Sequence, residues 1–311
     1  MTLIDIGARG GPSRNWRSHP NLFVVGFEPD PDEHRQLEDA AGPNERYLSA
    51  ALWDRPANLE LNLTKSPGSS SILTPNRAFL NQFPDHDRFE VVERTTLQTD
   101  TLDHQLFING IRDVDFIKVD TQGTELRVLK GATETLSSVI GIELEVEFAE
   151  MYKEQPLFSD VDPFIRDSGF ALFDLRPHYW KRSRGAEYGG SKGQLVFADA
   201  LYLRTADSFN AVLLNTDPDR REAKLARALS VCVIYGYVDY ALELLAAVSD
   251  LCHPDTCRLL LGALTSSEKG RRLRIPAFRG SRRIAAAVYA LYKSFRSGPS
   301  WADSARTLGN F

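Results

Sequence analysis

The chain has 311 residues, of which 42% are hydrophobic and 25% charged, a composition that excludes a disordered or collagen-like protein. This length predicts one doubly wound domain with an additional segment. No run of 18 or more apolar residues predicts a membrane span, and without a signal-peptide pattern we expect a cytoplasmic protein. The three cysteines lack the spacing of a zinc site, so we predict buried free thiols and no metal site.

The net charge of −5 is distributed unevenly along the chain. Residues 266–311 carry ten Lys or Arg and two acids, a net charge of +8, so the preceding residues sum to −13. A basic run at 271–283 precedes apolar residues at helical spacing, a pattern typical of an interfacial amphipathic helix. We expect residues 271–296 either to contact an anionic membrane surface or to dock on the acidic body of the protein. The aromatic residues are not interleaved with the basic ones, which disfavours nucleic-acid binding.

The first predicted strand leads into a glycine turn over residues 3–11, LIDIGARGG. An apolar strand that ends in Asp5 and continues through Gly7 is how a parallel strand brings its backbone to a bound nucleoside, although ordinary turns also use glycine. The motif begins two residues after the first methionine. We therefore expect this side of the sheet to be covered either by the C-terminal region or by residues missing upstream.

A second strand is predicted at residues 21–27 and ends at Glu28. Asp30 is a good N-cap for a helix over residues 32–41, with Pro31 in its first turn. Glu28 follows the glycine turn by about 20 residues, the spacing at which a carboxylate accepts the ribose hydroxyls of a nucleoside. The alternative for Glu28 is a solvated loop acid.

Further strands are predicted at residues 45–52, 58–63 and 91–97. The small polar residues at 65–71 form either a lid or a linker.

A strand, turn and helix are predicted over residues 115–132. Lys118 lies inside the strand and needs a partner charge or a catalytic role. Asp120 follows the carboxyl end of the strand, where open α/β sheets bind their ligands. The next strand places Glu143, Glu145 and Glu147 on one face, so at least one should point into the ligand crevice or pair with Lys118.

The last two predicted strands, at residues 169–175 and 193–203, have no helix between them and predict an antiparallel hairpin at the sheet edge. The insert at 177–182 is aromatic and basic and is a candidate to line a substrate cleft, whereas His178 alone is expected to be a surface residue. Strands alternating with helices predict a doubly wound, mostly parallel α/β sheet.

Helical spacing dominates after about residue 218, with two helices meeting at residues 235–237 and a third near residues 256–264. We predict three units: an α/β domain at 1–206, a helical extension at 207–265, and a basic tail with an amphipathic helix at 266–311.

Five sequence blocks together resemble the FkbM family of S-adenosylmethionine-dependent methyltransferases. They are DIGARGG at 5–11, GFEPD at 26–30, FIKVDTQGTE at 116–125, LKGA at 129–132 and LEVEF at 144–148. The resemblance covers about residues 3–204 and departs from the commoner family pattern at Arg9, where asparagine is usual, and at Gln122, where many members have glutamate. It implies a class I methyltransferase fold, Rossmann-like, with seven strands of which the last is antiparallel.

The resemblance also implies the site residues for the cofactor, S-adenosyl-L-methionine. The turn from Gly7 through Arg9 to Gly11 would contact its methionine and ribose parts, Asp5 its amino group, and Glu28 its ribose hydroxyls. Residues near the adenine would be Ala51 and Leu52. Asp120 would line the cofactor site and is, with Lys118 and Glu145, a candidate for removing the proton of the acceptor.

The activity implied is O-methylation of a hydroxyl, expected on a sugar of a glycan or glycoconjugate. The chain would then mainly align the hydroxyl and remove its proton. One alternative is a non-catalytic adapter that recruits partners through its helical tail. A nicotinamide-dependent enzyme is compatible with the glycine turn alone, but it gives the block at 118–125 no role.

Overall fold

The computed structural model describes residues 1–17, 19–184, 193–267, 288, 301–304 and 307–309. Within these residues, no helix combines the length and the apolar character needed to cross a membrane. The predicted basic run and amphipathic helix at 271–296 lie, apart from Val288, outside the described residues.

Eleven strands and eleven α-helices are present in the described residues. The strands are β1 (Thr2–Ile6), β2 (Phe23–Phe27), β3 (Glu45–Leu48), β4 (Ala51–Leu52), β5 (Ala57–Thr64), β6 (Val91–Asp100), β7 (Phe116–Val119), β8 (Gly141–Glu147), β9 (Phe170–Trp180), β10 (Gln194–Arg204) and β11 (Ala302–Ser304). The helices are α1 (Arg14–Arg17), α2 (Pro31–Ala40), α3 (Arg77–Leu80), α4 (Leu102–Ile108), α5 (Glu125–Lys130), α6 (Thr133–Leu136), α7 (Phe158–Asp167), α8 (Ala206–Asn215), α9 (Pro218–Ile234), α10 (Val238–Ala247) and α11 (Pro254–Ser267).

Eight strands form the central sheet in the order β11-β9-β10-β8-β7-β1-β2-β3. The five strands from β8 to β3 run parallel, and β10 is antiparallel to both β8 and β9. This order confirms the predicted class I fold and its antiparallel hairpin, to which β11 adds an outer strand.

A second sheet has the order β4-β6-β5 and corrects one predicted strand. We predicted a continuous strand over 45–52, but β3 ends at Leu48, where the Ala50 amide donates a hydrogen bond to the Leu48 carbonyl. The chain turns there, and Ala51 and Leu52 pair with β6 instead of β2.

The helix after β2 begins where its capping residues predict. Asp30 accepts hydrogen bonds from the amides of Asp32 and Glu33, and Pro31 occupies the first turn. The resulting α2 places the end of β2, with Glu28, at the edge of the sheet where the parallel strands end.

The two faces of the central sheet are covered by different parts of the chain. Apolar residues of α4 to α7 pack on one face, against Ile4, Ile117 and Ile142. Helices α8 to α11 pack on the other, against Leu3 and Phe116. The C-terminal helices therefore cover the side of β1 for which the sequence predicted an additional element. The predicted unit boundaries at residues 206 and 265 stay a proposal.

A buried charge cluster attaches α9 to the sheet. The Asp115 carboxylate, before β7, accepts hydrogen bonds from Lys224 Nζ at 3.1 Å, from Arg227 Nε at 2.9 Å and from the Thr2 amide at 2.9 Å. Because both Asp115 and Lys224 are buried, each depends on the other for compensation of its charge.

We expect Asp115→Asn to destabilise the protein by about 3 kcal/mol, since two cations would lose their buried partner. Urea unfolding followed by circular dichroism measures this loss. Asp113→Asn is the matched control, because Asp113 pairs with Arg220 at the surface, and it should cost less than about 1 kcal/mol. Equal losses in the two variants would contradict the role of Asp115.

Candidate active site

A cavity of about 270 Å³ lies where β1, β2 and β7 end. Its wall contains six of the eight residues that the family resemblance assigned to the cofactor: Gly7, Arg9, Glu28, Ala51, Leu52 and Asp120. The structure therefore brings together residues from three separate sequence blocks.

Gly7 allows the ends of β1 and β7 to approach closely. Its φ angle is +74°, and a β-carbon at this position would lie 2.0 Å from the Asp120 carbonyl oxygen. The Asp120 amide donates a hydrogen bond to the Ile6 carbonyl at 2.9 Å, which holds the two strand ends together. Glycine is thus required here both by backbone conformation and by space.

Glu28 and Arg9 form the polar part of the cavity beside α2. Glu28 is 6% exposed, and its Oε1 accepts a hydrogen bond from the Asp30 amide at 3.0 Å. Burial raises the pKa of Glu28 above its ordinary value. Arg9 pairs with Glu33 at 2.9 Å and with Asp30 at 3.4 Å, so its cation is compensated within the protein.

One wall of the cavity was not predicted and comes from the second sheet and the loop after β5. The residues are Leu61, Leu63, Leu97, Pro67, Gly68, Ser70, Ser71 and Ile72. The Ser71 hydroxyl donates to the Gln122 carbonyl at 2.7 Å, and the Tyr152 hydroxyl donates to the Ser69 carbonyl at 2.8 Å. The small polar loop at 65–71 is therefore part of the cavity wall; its serines gave a signal, but only the long-range contacts separate a wall from a linker.

Four predicted site residues do not line the cavity: Asp5, Gly11, Lys118 and Glu145. Asp5 is fully buried and accepts a hydrogen bond from Lys118 Nζ at 3.0 Å. Burial lowers the pKa of Lys118, but the carboxylates of Asp5 and Asp120 outweigh this effect and raise it. The Lys118 ammonium group is therefore held in an ion pair with Asp5, outside the cavity wall.

Gly11 lies on the outer side of the glycine turn. A β-carbon there would lie 2.6 Å from the Arg17 guanidinium and 3.3 Å from the Tyr47 hydroxyl. With a φ angle of +72°, Gly11 shapes the turn.

Gln122 joins by hydrogen bonds an acid in the cavity wall and an acid on the face of the sheet. Its Nε2 donates to Asp120 Oδ1 at 3.0 Å and to Glu145 Oε1 at 3.4 Å, and its Oε1 accepts from the Tyr152 hydroxyl at 3.2 Å. An amide here donates to two carboxylates, which a glutamate could not do in its ionised form. The departure from the family pattern therefore has a structural role beside the two acids.

The three alternating acids of β8 share a face, as predicted. Glu143 lies in register with Lys118 and accepts a hydrogen bond from the Tyr235 hydroxyl of the helical extension at 2.5 Å. Glu147 is 1% exposed, and its Oε1 has no hydrogen-bond partner among the described residues. Burial raises the pKa of Glu143, Glu145 and Glu147, with repulsion from nearby carboxylates adding to the effect.

Glu125, the acid that ends the block at 118–125, has a structural role that we did not predict. Its Oε1 accepts hydrogen bonds from the Thr121 amide at 2.7 Å and from the Gly123 amide at 3.2 Å. These bonds hold the turn that presents Asp120 to the cavity.

His178 lies on a strand and not in a loop insert, and its side chain is 23% exposed. The predicted insert at 177–182 is mostly a continuation of β9, which extends to Trp180. His178 is half-buried, and its Nε2 lies 2.9 Å from Asp199 Oδ2, which also accepts a hydrogen bond from Arg176 Nε at 2.7 Å. Neighbouring strands, separate in sequence, create this cluster.

No group of three or more His, Cys, Asp or Glu side chains within the described part of the chain is arranged to hold a metal ion. The three cysteines are free thiols, with Cys232 buried and Cys252 and Cys257 half-buried.

We expect Glu147→Gln to stabilise the protein more at about pH 8 than at about pH 5. Burial raises the pKa of Glu147 in the folded protein. The folded state therefore loses stability as the pH rises from the ordinary pKa of a carboxyl group toward this raised value. Glutamine removes this loss, so the gain in unfolding free energy should reach about 1 to 3 kcal/mol at the higher pH. Urea unfolding at both pH values measures it, with the exposed Glu134→Gln as control; a gain independent of pH would contradict the expectation.

Comparisons with known proteins found a matching family and a curated relative. Residues 5–172 match the family described as the methyltransferase FkbM domain. The chain is 27% identical over 172 residues to the 2-O-methyltransferase NoeI of Sinorhizobium fredii, a match that covers 51% of this chain and 69% of that protein.

Solved structures with similarity to this chain include two methyltransferases. One is a TehB-like S-adenosylmethionine-dependent methyltransferase from Corynebacterium glutamicum, with 11% identity, 66% of this chain and 80% of that chain covered, and a TM-score of 0.33. The other is the magnesium protoporphyrin IX methyltransferase of Synechocystis with bound S-adenosylmethionine, with 10% identity, 65% and 69% covered, and a TM-score of 0.34. The family match spans more than half of the sequence, and the chain therefore belongs to the FkbM methyltransferase family and is a methyltransferase that uses S-adenosyl-L-methionine.

Proposed function

We propose that this protein transfers a methyl group from S-adenosyl-L-methionine to a hydroxyl of a sugar in a glycan or glycoconjugate. The observation that carries the proposal is the position of the Asp120 carboxylate in the wall of the cavity. Gln122 links this carboxylate by hydrogen bonds to Glu145, on the polar face of the sheet. The similarity to a relative named 2-O-methyltransferase supports a hydroxyl as the acceptor.

The cavity residues fit the proposed cofactor. The Glu28 carboxylate is placed to accept the ribose hydroxyls, and the apolar side chains of Ala51 and Leu52 offer a surface for the adenine. Asp5 does not line the cavity, but its Oδ2 is buried without a hydrogen-bond partner among the described residues, so we assign it to the amino group through an intervening water. Arg9 borders the same cavity and is assigned to the methionine end.

S-adenosyl-L-methionine supplies an electrophilic methyl group on a sulfonium. The chain's own part is to align the acceptor hydroxyl and to take its proton, and we assign the proton to Asp120. Lys118 is held in its ion pair with Asp5, and Glu145 lies behind Gln122, outside the cavity wall. Glu145 and Gln122 then act as positioning residues for Asp120, while the loop at 65–71 helps to exclude water from the site.

Location and partners follow from the sequence pattern. We propose a cytoplasmic enzyme with a carbohydrate rather than a nucleic acid as acceptor. For residues 271–296, contact with an anionic membrane surface and docking on the acidic body of the protein stay alternative predictions.

Glu28→Gln should weaken binding of S-adenosyl-L-methionine by about 10- to 100-fold, because hydrogen bonds to a charged acceptor become bonds to a neutral one. Isothermal titration calorimetry measures the dissociation constant. Glu33→Gln is the control, since Glu33 bonds Arg9 at the cavity mouth but does not line the cavity, and it should change affinity by less than about threefold. Equal losses in the two variants would remove Glu28 from the binding site.

Asp120→Asn should lower kcat by about 100- to 10,000-fold, because the acceptor hydroxyl loses its base. The assay follows a labelled methyl group from S-adenosyl-L-methionine to a panel of sugars by mass spectrometry, with calorimetry reporting cofactor affinity in the same preparation. A variant that binds cofactor but has lost turnover supports the assignment. Unchanged kcat would refute it, and wild-type protein that binds cofactor but methylates no sugar would refute the proposed function.

A further inference from the structure

A row of polar side chains crosses the sheet from the cofactor cavity to β9, the strand next to the outer strand β11. Glu145 of β8 lies in register with Asp199 of β10, and Asp199 lies in register with Arg176 of β9. Side chains in register project from the same face of a sheet. Because strands are about 4.8 Å apart, the three steps from Asp120 to Arg176 span about 14 Å.

Hydrogen bonds join the residues within each half of the row, and the register of β8 and β10 places the two halves side by side. Gln122 bonds both Asp120 and Glu145. Farther out, Asp199 bonds both Arg176 and His178. Asp199 also adds to the repulsion that raises the pKa of Glu145, so the two halves of the row are electrostatic neighbours.

The outer half of the row is accessible and rigid. The side chains of Arg176, His178 and Asp199 are 33%, 23% and 19% exposed. The His178 ring stacks on Phe197 with 4.3 Å between ring centroids and 8° between planes. Such a partly exposed, preorganised set of donors and acceptors can bind a ligand with little loss of side-chain freedom.

The charges of the row favour a neutral, hydroxyl-rich ligand. Lys118 pairs with Asp5 and Arg176 pairs with Asp199, so each of these two cations already has a carboxylate partner. Among the described residues, Lys118 and Arg176 therefore offer no uncompensated positive charge to a phosphate, sulfate or uronate. Carboxylate and imidazole acceptors together with guanidinium donors match the alternating hydroxyls of a sugar ring.

We propose that the row from Glu145 to Arg176 and His178 is the acceptor-binding groove and that it holds a neutral oligosaccharide beyond the ring that is methylated. This inference rests on the proposed function, because it requires a sugar hydroxyl at Asp120. It adds that recognition extends over more than one ring and selects against anionic sugars.

The test compares acceptors of two lengths and two charges. Wild-type protein with S-adenosyl-L-methionine is offered neutral di- to tetrasaccharides, the corresponding single sugars, and uronate-containing counterparts of each. Three variants are measured alongside: His178→Phe, which keeps the ring stack, Asp199→Asn, which frees the Arg176 cation, and Asp162→Asn as control. Asp162 makes an ion pair with Arg166 at 2.7 Å and is also 19% exposed, but it lies on α7, which packs on the opposite face of the sheet.

We expect His178→Phe to raise KM for the oligosaccharide by about 10-fold, the loss of one or two hydrogen bonds, with kcat and the single-sugar reaction unchanged. Asp199→Asn should shift the ratio of kcat/KM toward uronate acceptors by about 10-fold or more, because the Arg176 cation then has lost the carboxylate that compensates it. Asp162→Asn should change neither quantity.

Three results would overturn the groove. They are an equal effect of His178→Phe on single sugars and oligosaccharides, an unchanged charge preference in Asp199→Asn, and a shift of the same size in Asp162→Asn. Each presupposes wild-type protein that methylates a sugar, so failure of the groove is distinct from failure of the proposed function, which shows as wild-type protein without any methylated sugar.

Discussion

The close approach between Gly7 and the Asp120 carbonyl is the constraint on which the site depends. With no β-carbon between them, β1 and β7 end side by side, and the turn after β1 opens into the cavity. Any larger residue at position 7 would displace the segment that presents Asp120. The proposed cofactor site and the proposed proton acceptor are therefore linked through one backbone contact, and the Glu125 carboxylate holds the adjoining turn.

One face of the central sheet has two regions: the C-terminal helices cover and stabilise one, and the other carries polar side chains. Near the start of the parallel strands, α8 to α11 bury an apolar surface, and Asp115 fixes α9 in place. Toward the strand ends the same face carries acids, an arginine and a histidine. Burying Glu145 and Glu147 costs stability at neutral pH, a cost typical of functional sites, where residues are arranged for activity. Tyr235 connects the two regions through its bond to Glu143.

The site residues that lie in short sequence motifs could be predicted from the sequence. Gly7, Glu28 and Asp120 each stand at the end of a recognisable strand, so their meeting at one edge of the sheet followed from topology. The wall at Pro67 to Ile72 and the partner of His178 depend on pairings between distant segments, which local pattern does not contain. The same holds for the C-terminal helices. Helical spacing in the sequence predicted their presence, but only contacts between distant residues show which face of the sheet they cover.

A crystal structure of the protein with S-adenosylhomocysteine, the demethylated form of the cofactor, tests the central claim most directly. We expect the ribose hydroxyls within hydrogen-bond distance of Glu28, the adenine beside Ala51 and Leu52, and the sulfur directed toward Asp120. A nucleoside bound elsewhere, or bound in the cavity with its sulfur directed away from Asp120, would contradict it.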